Sequence, residues 1–364
     1  MNGNKIVIAV VGSGQMGSAM SFPACENGHE VRLVGTPLDR EIIEEANKTG
    51  MHKTLKRRLP EGIKYFQIEE LEKSLDGADL LIGGVSSFGV DWFMENILPR
   101  IPESLPILSV TKGMLDTLEG ELIPYPELYL QKSGSKKLSV NAIGGPCTSY
   151  ELADHDHTEV CFCGYDIEIL CKLKTWLETP YYHISLSTDV KGVECAVALK
   201  NAYALGVSLA IGLSEKAEGK GIQHYNSQAA LFGQSIREMR RILSLTGSLD
   251  DNIVLGAGDL YVTIFGGRTR LIGTLLGRGL SFEKAMEELK GITLESVIIA
   301  KRTAAAIRIK IAKGMVKAGE FPLLLHIDDI ISRNAPVDIP WNKFESETVN
   351  VFSNKSKKNG KSPV

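Results

Sequence analysis

Lys200 lies inside "VECAVALKNAYALG", residues Val193 to Gly206, where the only other charged residue is Glu194. Read as a helix, the stretch puts Lys200 on one face with Val193, Ala196, Tyr203, Ala204 and Val207. Such a face is buried, and an unpartnered ammonium there costs several kcal/mol. The lysine must be neutral, paired or aimed into a polar cavity. A lysine whose proton affinity is lowered by burial or by a second cation can hand a proton to a substrate oxygen. The plainer reading is a structural ion pair with Glu194 or Glu295, although Glu194 stands about 120° away around the helix.

A second chemistry lies at the beginning of the chain. In "IVIAVVGSGQMGSAM", Gly12, Gly14 and Gly17 follow a strand and open a helix, with Ser13, Gln15 and Met16 between them. The spacing suits a dinucleotide: Gly12 allows a tight turn, Gly14 close approach of a pyrophosphate, and Gly17 packing of helix on strand. The helix N-terminus adds free N–H groups. The acid expected for an adenosine ribose is missing, because Gly35 and Thr36 end the second strand and Asp39 comes later. Arg32 and Arg40 are candidates for a 2′-phosphate instead, so NAD and NADP both remain open. A third candidate, "GAGDLYVTIFGGRTRLIGTLLGRG", combines glycines with Asp259, Thr263, Arg268 and Arg270. An arginine fork there suits a phosphate or carboxylate. Its plainer readings are a solvated loop, with Asp259 as a helix cap. The run Asp154 to His157 suggests a metal site only weakly, since nothing else stands at metal spacing.

These groups need a scaffold that brings distant residues together. Strand-like runs ("KIVIAVV", "EVRLVG", "ADLLIGGVS", "PILSV", "KLSVNAIGGP", "EVCFCG", "YYHISLS") alternate with helical patterns up to residue 188. That alternation predicts an α/β fold with a Rossmann-like, doubly wound parallel sheet. From Asp189 long helical segments take over, which predicts an all-helical C-terminal domain. The division is 1–188 for dinucleotide binding, 189–350 for substrate and catalysis, and a basic, disordered tail over 351–364. A chain of 364 residues accommodates two cores.

Net charge is −3 and the hydrophobic fraction 43%, which argues against a nucleic-acid partner. The opening residues lack an apolar run suited to a signal peptide, and the six cysteines show no zinc spacing. Both favour reduced thiols and a cytoplasmic protein. Val193 to Leu213 approaches membrane-spanning length, yet Lys200 and Glu194 would each cost about 2.5–3.5 kcal/mol at the centre of a bilayer. A buried helix in a protein without a membrane span is the expectation.

Taken in order, these segments resemble the NAD-dependent glycerol-3-phosphate dehydrogenase family. The glycine loop matches its cofactor fingerprint, and "GADLLIGGVSSFGV" its segment with an aromatic beside the cofactor, here Phe88. "LSVTKGM" supplies Lys112, "GGPCTSYELA" Glu151, the long apolar helix Lys200 and Asn201, the second glycine-rich segment Asp259, Thr263, Arg268 and Thr269, and "GITLES" Glu295. The resemblance implies reduction of dihydroxyacetone phosphate to sn-glycerol 3-phosphate with NAD or NADP as cofactor, in a homodimer. It makes Lys200 the general acid/base, with Lys112 and Asp259 beside it. The same resemblance assigns Asn201, Thr263, Arg268 and Thr269 to the small phosphorylated substrate. The glycine loop (Gly12, Ser13, Gly14, Gln15, Met16, Gly17), Phe88, Lys112, Glu151, Arg268 and Glu295 hold the cofactor.

Some positions depart from the family pattern. Met16 replaces an aromatic, Ser86 a proline and Thr269 an asparagine, and the connection "SEKAEGKGIQHYN" is longer and more charged. Thr269 and that connection are expected at the substrate pocket, which keeps a longer ketose or sugar phosphate as an alternative. A β-hydroxyacid dehydrogenase is a further alternative, although that family separates its lysine and asparagine by four residues. A nucleotide-binding regulatory protein without catalysis is the reading from a different class.

Overall fold

Short runs of Val, Ile and Leu bounded by glycines and polar turns form the strands, and amphipathic stretches between them form covering helices. The computed structural model describes residues 5–134 and 136–344. In chain order, the first half contains β1 (Val7–Val11), α1 (Gln15–Ala19), α2 (Ser21–Glu26), β2 (Glu30–Val34), α3 (Arg40–Thr49), β3 (Lys64–Phe66), α4 (Leu71–Leu75), β4 (Leu80–Gly83) and α5 (Val90–Asn96). It continues with β5 (Ile107–Ser109), the hairpin β6 (Met114–Asp116) and β7 (Leu122–Pro124), α6 (Tyr125–Lys132), β8 (Val140–Gly144), α7 (Ser149–Ala153), β9 (Thr158–Cys163), α8 (Ile167–Leu177) and β10 (Tyr182–Ser187). The second half contains α9 (Val190–Glu218), α10 (Tyr225–Leu245), α11 (Asn252–Ile264), α12 (Gly267–Gly277), α13 (Phe282–Glu288), α14 (Glu295–Ala312) and α15 (Pro322–Arg333).

Eight strands form one sheet in the order β10-β9-β8-β5-β4-β1-β2-β3, parallel throughout except for the antiparallel pair β8 and β9. Side chains alternate between its faces, so Ile8 and Val10 enter one core while Ala9 and Val11 enter the other. The chain leaves β1 for β2 and β3, then returns to lay β4 on the other side of β1. This reversal opens a crevice beyond the carboxyl ends of β1 and β4, where doubly wound sheets bind ligands.

The helical half packs around α9. The Asp189 carboxylate caps that helix by accepting from the Gly192 N–H at 2.9 Å. Most of its residues are buried, which explains why an apolar stretch of this length shows little amphipathic pattern. It is the one helix among the described residues that is long and apolar enough to cross a membrane, and 89% of its most apolar window is buried inside the fold. α12 crosses it at very close range. A Cβ placed on Gly273 would stand 2.7 Å from the Leu205 carbonyl oxygen, and one on Gly277 2.2 Å from that of Leu209. The β6–β7 hairpin precedes the helical half in sequence, yet Met114 and Leu122 join its core. Position 135 and the basic tail lie outside the described residues.

Candidate active site

Three elements converge on one buried carboxylate. Asp259 lies in the interior of α11 and is 1% exposed. Its Oδ1 accepts from Lys200 Nζ at 2.7 Å and its Oδ2 from Lys112 Nζ at 2.5 Å. Lys112 follows β5 and also donates to the Gly145 carbonyl oxygen at 2.6 Å. Asp259 therefore caps no helix end, Lys112 is not a free surface residue, and neither Glu194 nor Glu295 makes the ion pair of Lys200. Its partner lies 59 residues downstream.

This arrangement sets the proton affinity of Lys200. Burial lowers its pKa most strongly; Asp259 pulls it back up and Lys112 lowers it again. With both lysines charged, the three groups carry one net positive charge in a poorly solvated place, which an anionic substrate can balance. Glu194, on the second turn of α9, is fully buried and neither of its carboxylate oxygens has a hydrogen-bond partner. Burial pushes its pKa up to about 8, against the pull of Lys112, so it is a neutral acid at pH 7. Cys147 borders the same space, and burial raises its thiol to about 12. It is not a nucleophile at neutral pH.

Two cavities meet at the triad. The larger, about 710 Å³, runs from Gly14, Gln15 and Met16 past Lys112 to Lys200, Arg268 and Glu295. The smaller, about 250 Å³, holds Asn201, Asp259, Thr263, Arg268 and Thr269 together with Thr293, which the sequence reading did not single out. Thr293 stands two residues before Glu295, and that proximity was its only signal. Thr263 sits one turn after Asp259 and donates to that residue's carbonyl oxygen at 2.7 Å. The Arg268 side chain reaches both cavities and has no hydrogen-bond or ion-pair partner among the described residues. It is free to take an anionic group bidentately.

The larger cavity suits a dinucleotide. Gly12 has φ +106°, and a Cβ on it would stand 2.7 Å from the Gly84 backbone. A Cβ on Gly17 would lie 2.1 Å from the Gly12 carbonyl oxygen, so β1, β4 and the first helical turns touch through backbone alone. Gly14 faces open space: nothing lies nearer than 4.0 Å to its Cβ position, and no side chain caps α1 there. Those free N–H groups and that missing side chain form a cradle for a pyrophosphate. Ser13 is fully buried; its carbonyl oxygen receives His52 Nε2 at 2.8 Å and its N–H reaches Asp39 Oδ2 at 3.3 Å. Asp39 also accepts from the Thr36 N–H and hydroxyl, so this late acid folds back onto the glycine loop.

Several expected positions fall elsewhere. Arg32 pairs with Glu30 and donates to the carbonyl oxygens of Lys73, Ser74 and Asp76, and Arg40 pairs with Glu69. A 2′-phosphate therefore finds Arg32 fully committed. Phe88 is 55% exposed and borders a separate apolar groove with Ile292, Leu294 and Val297 rather than the large cleft. Glu151 accepts from Thr148 Oγ1 at 2.5 Å and is not among the residues lining either cavity. The charged connection Lys216 to His224 lies at the far end of α9, about 24 Å from Lys200 at 1.5 Å per residue. It does not shape the pocket. No cluster of three or more metal-ligating side chains occurs among the described residues, Asp154 to His157 included.

The N-terminal model of NAD-dependent glycerol-3-phosphate dehydrogenase matches residues 7–169, and the C-terminal model of the same enzyme matches 189–341. The chain is 33% identical over 287 residues to the NADP(+)-dependent glycerol-3-phosphate dehydrogenase of Archaeoglobus fulgidus, covering 78% of this chain and 84% of that one. The chain belongs to the NAD-dependent glycerol-3-phosphate dehydrogenase family. A relative from Myxococcus xanthus, named glycerol-3-phosphate dehydrogenase [NAD(P)+], is 27% identical with 94% and 99% of the two chains covered. The fold is shared with the glycerol-3-phosphate dehydrogenase of Plasmodium falciparum (TM-score 0.78, 21% identity, 95% and 97% covered). It is also that of the Coxiella burnetii enzyme (TM-score 0.74, 22% identity, 93% and 97% covered).

Proposed function

We propose that this protein is an NAD(P)-dependent glycerol-3-phosphate dehydrogenase that interconverts dihydroxyacetone phosphate and sn-glycerol 3-phosphate. The observation that carries this reading is the single buried carboxylate shared by Lys112 and Lys200, placed where a dinucleotide cleft meets a small pocket with an unpaired arginine. When bound, the reduced nicotinamide supplies hydride to the substrate's carbonyl carbon. Lys200 gives a proton to the oxygen that becomes a hydroxyl, and burial, by lowering its proton affinity, favours that release. Lys112, held in place by its bonds to Asp259 and Gly145, stabilises negative charge building on the same oxygen. Asp259 fixes both ammonium groups in direction.

Arg268 takes the phosphate, and Asn201, Thr263 and Thr269 supply hydrogen bonds around it. Anchoring this remote group aligns the reacting carbon with Lys200. The pocket, at about 250 Å³, favours a three-carbon phosphate over longer ketose phosphates. We divide the chain into a cofactor part over 1–188 and a catalytic part from 189, a division supported by their largely distinct hydrophobic clusters, which are bridged by Met114 and Leu122 and by the packing of Ala142, Cys161 and Cys163 on Val190 and Val193. We place the enzyme in the cytoplasm as a homodimer. The six cysteines, all free, support the compartment.

The test is oxidation of NADH and of NADPH with dihydroxyacetone phosphate, run beside four- and five-carbon ketose phosphates. Preferred turnover of dihydroxyacetone phosphate is the expected result. A preference for a longer substrate would move the function to another sugar phosphate, with the lysine chemistry unchanged.

A further inference from the structure

One side-chain hydrogen bond crosses the mouth of the cleft. Ser87, in the turn that follows β4, donates from Oγ to Glu295 Oε1 at 2.8 Å, joining residues 208 apart in the chain. Ser87 belongs to the sheet half, while Glu295 is the first residue of α14 in the helical half. Glu295 lines both cavities, so its carboxylate stands at their junction, where a reacting ring and a substrate carbon have to meet. It is also among the charges that raise the proton affinity of Lys200.

The segment that leads into Glu295 ends at this contact. Gly291 has φ +85°, Leu294 is 5% exposed, and Thr293 between them lines the substrate pocket. The helix-initiating residue is thus held from the opposite wall. A carboxylate bonded through one oxygen keeps the other for an amide N–H, and the nicotinamide carboxamide is the amide donor that belongs in this cleft.

We propose that Ser87 is a positioning residue: its hydrogen bond clasps Glu295 across the cleft and holds that carboxylate in place to receive the carboxamide of the nicotinamide ring. This rests on the reading of the larger cavity as the NAD(P) site. The clasp also makes cofactor affinity depend on both halves of the protein, since neither half alone supplies the serine and the carboxylate.

The experiment is a fluorescence titration of NADH binding to the full chain without substrate, on Ser87→Ala, Ser87→Thr and Glu295→Ala, with a thermal melt of each. Loss of a hydrogen bond to a charged acceptor predicts roughly a ten-fold weaker Kd for Ser87→Ala. Ser87→Thr, which keeps the hydroxyl, restores most of it. Native affinity in Ser87→Ala together with weakened binding in Glu295→Ala overturns the clasp and leaves the cofactor site standing, as does a threonine variant no better than alanine. Native affinity in both Ser87→Ala and Glu295→Ala overturns the clasp and removes Glu295 from the cofactor site as well.

Discussion

The wall of the cleft built by β1 and β4 is backbone against backbone where Gly12, Gly17 and Gly84 meet. The facing wall brings together the charged ends of Lys112, Lys200 and Asp259. The first wall recognises by shape and by N–H groups that a glycine spacing exposes, all within a few residues of chain. The second works through side chains from the segment after β5, from α9 and from α11, held by distances that only the completed fold creates. A cofactor shared by many enzymes suits the first mode, and a reaction confined to one carbonyl suits the second.

Substitutions on each wall therefore give different signatures. The largest effect belongs to Lys200→Ala: turnover falls roughly 10³-fold or more while NADH still binds, because the lost group acts on the proton and not on the dinucleotide. Lys200→Arg keeps the charge and stays equally inactive, since a guanidinium does not release its proton. Retained turnover in either variant would falsify the role of Lys200. On the opposite wall, Gly17→Ala forces a Cβ to within 2.1 Å of the Gly12 carbonyl oxygen. It lowers stability by about 1–3 kcal/mol and weakens NADH binding, as melts and titrations show. A variant with a native melting curve and native NADH affinity would mean that β1 and β4 do not need this backbone contact.

Arg268→Ala sharpens the contrast within the second wall. It raises the KM for dihydroxyacetone phosphate roughly ten- to a hundred-fold, the loss of charge-assisted hydrogen bonds to phosphate. An unchanged KM removes this arginine from the substrate pocket.

A separate effect concerns pH. Glu194 ionises at about 8 in the folded protein against an ordinary 4.5, so the unfolded chain loses its proton first as pH rises. The stability associated with the neutral carboxyl is complete below the ordinary value and is lost as pH climbs through about 8. Glu194→Gln cannot ionise and flattens the decline of Tm between pH 5 and 8, approximately. Glu238, also buried and raised to about 7, leaves a residual slope of the same sign. A pH profile of Tm identical to that of the native protein would mean that Glu194 is ionised already.

The glycine loop of the first wall was legible in the sequence because strand, turn and helix stand next to one another along the chain, whereas its contact with Gly84 was not. The composition change at Asp189 likewise marked the residue whose side chain caps α9. Of the charged wall, Lys200 stood out from its own apolar stretch, but its meeting with Lys112 and Asp259 was legible only through the family resemblance, because no local pattern says that Asp259 reaches Lys112, 147 residues away. Three-residue strands such as β3, β6 and β7 are too short to show alternation. The expectations that missed concern direction. Arg32 points inward to carbonyl oxygens, and the charged connection after Glu215 sits beyond the reach of the pocket, where Glu215 pairs with Arg278 at 2.6 Å.

The close crossing of α12 over α9 acts as a caliper. Lys200 and Asn201 ride on one helix, Arg268 and Thr269 open the other, and Gly273 and Gly277 lock the two against Leu205 and Leu209. Since neither helix can slide without a backbone clash, the gap between Lys200 and Arg268 is a fixed span. If the proposed substrate bridges these two side chains, the length of carbon chain that fits is set one to three turns away, by Gly273 and Gly277. A search for variants that accept a longer phosphorylated ketone should therefore begin at that crossing as well as inside the pocket.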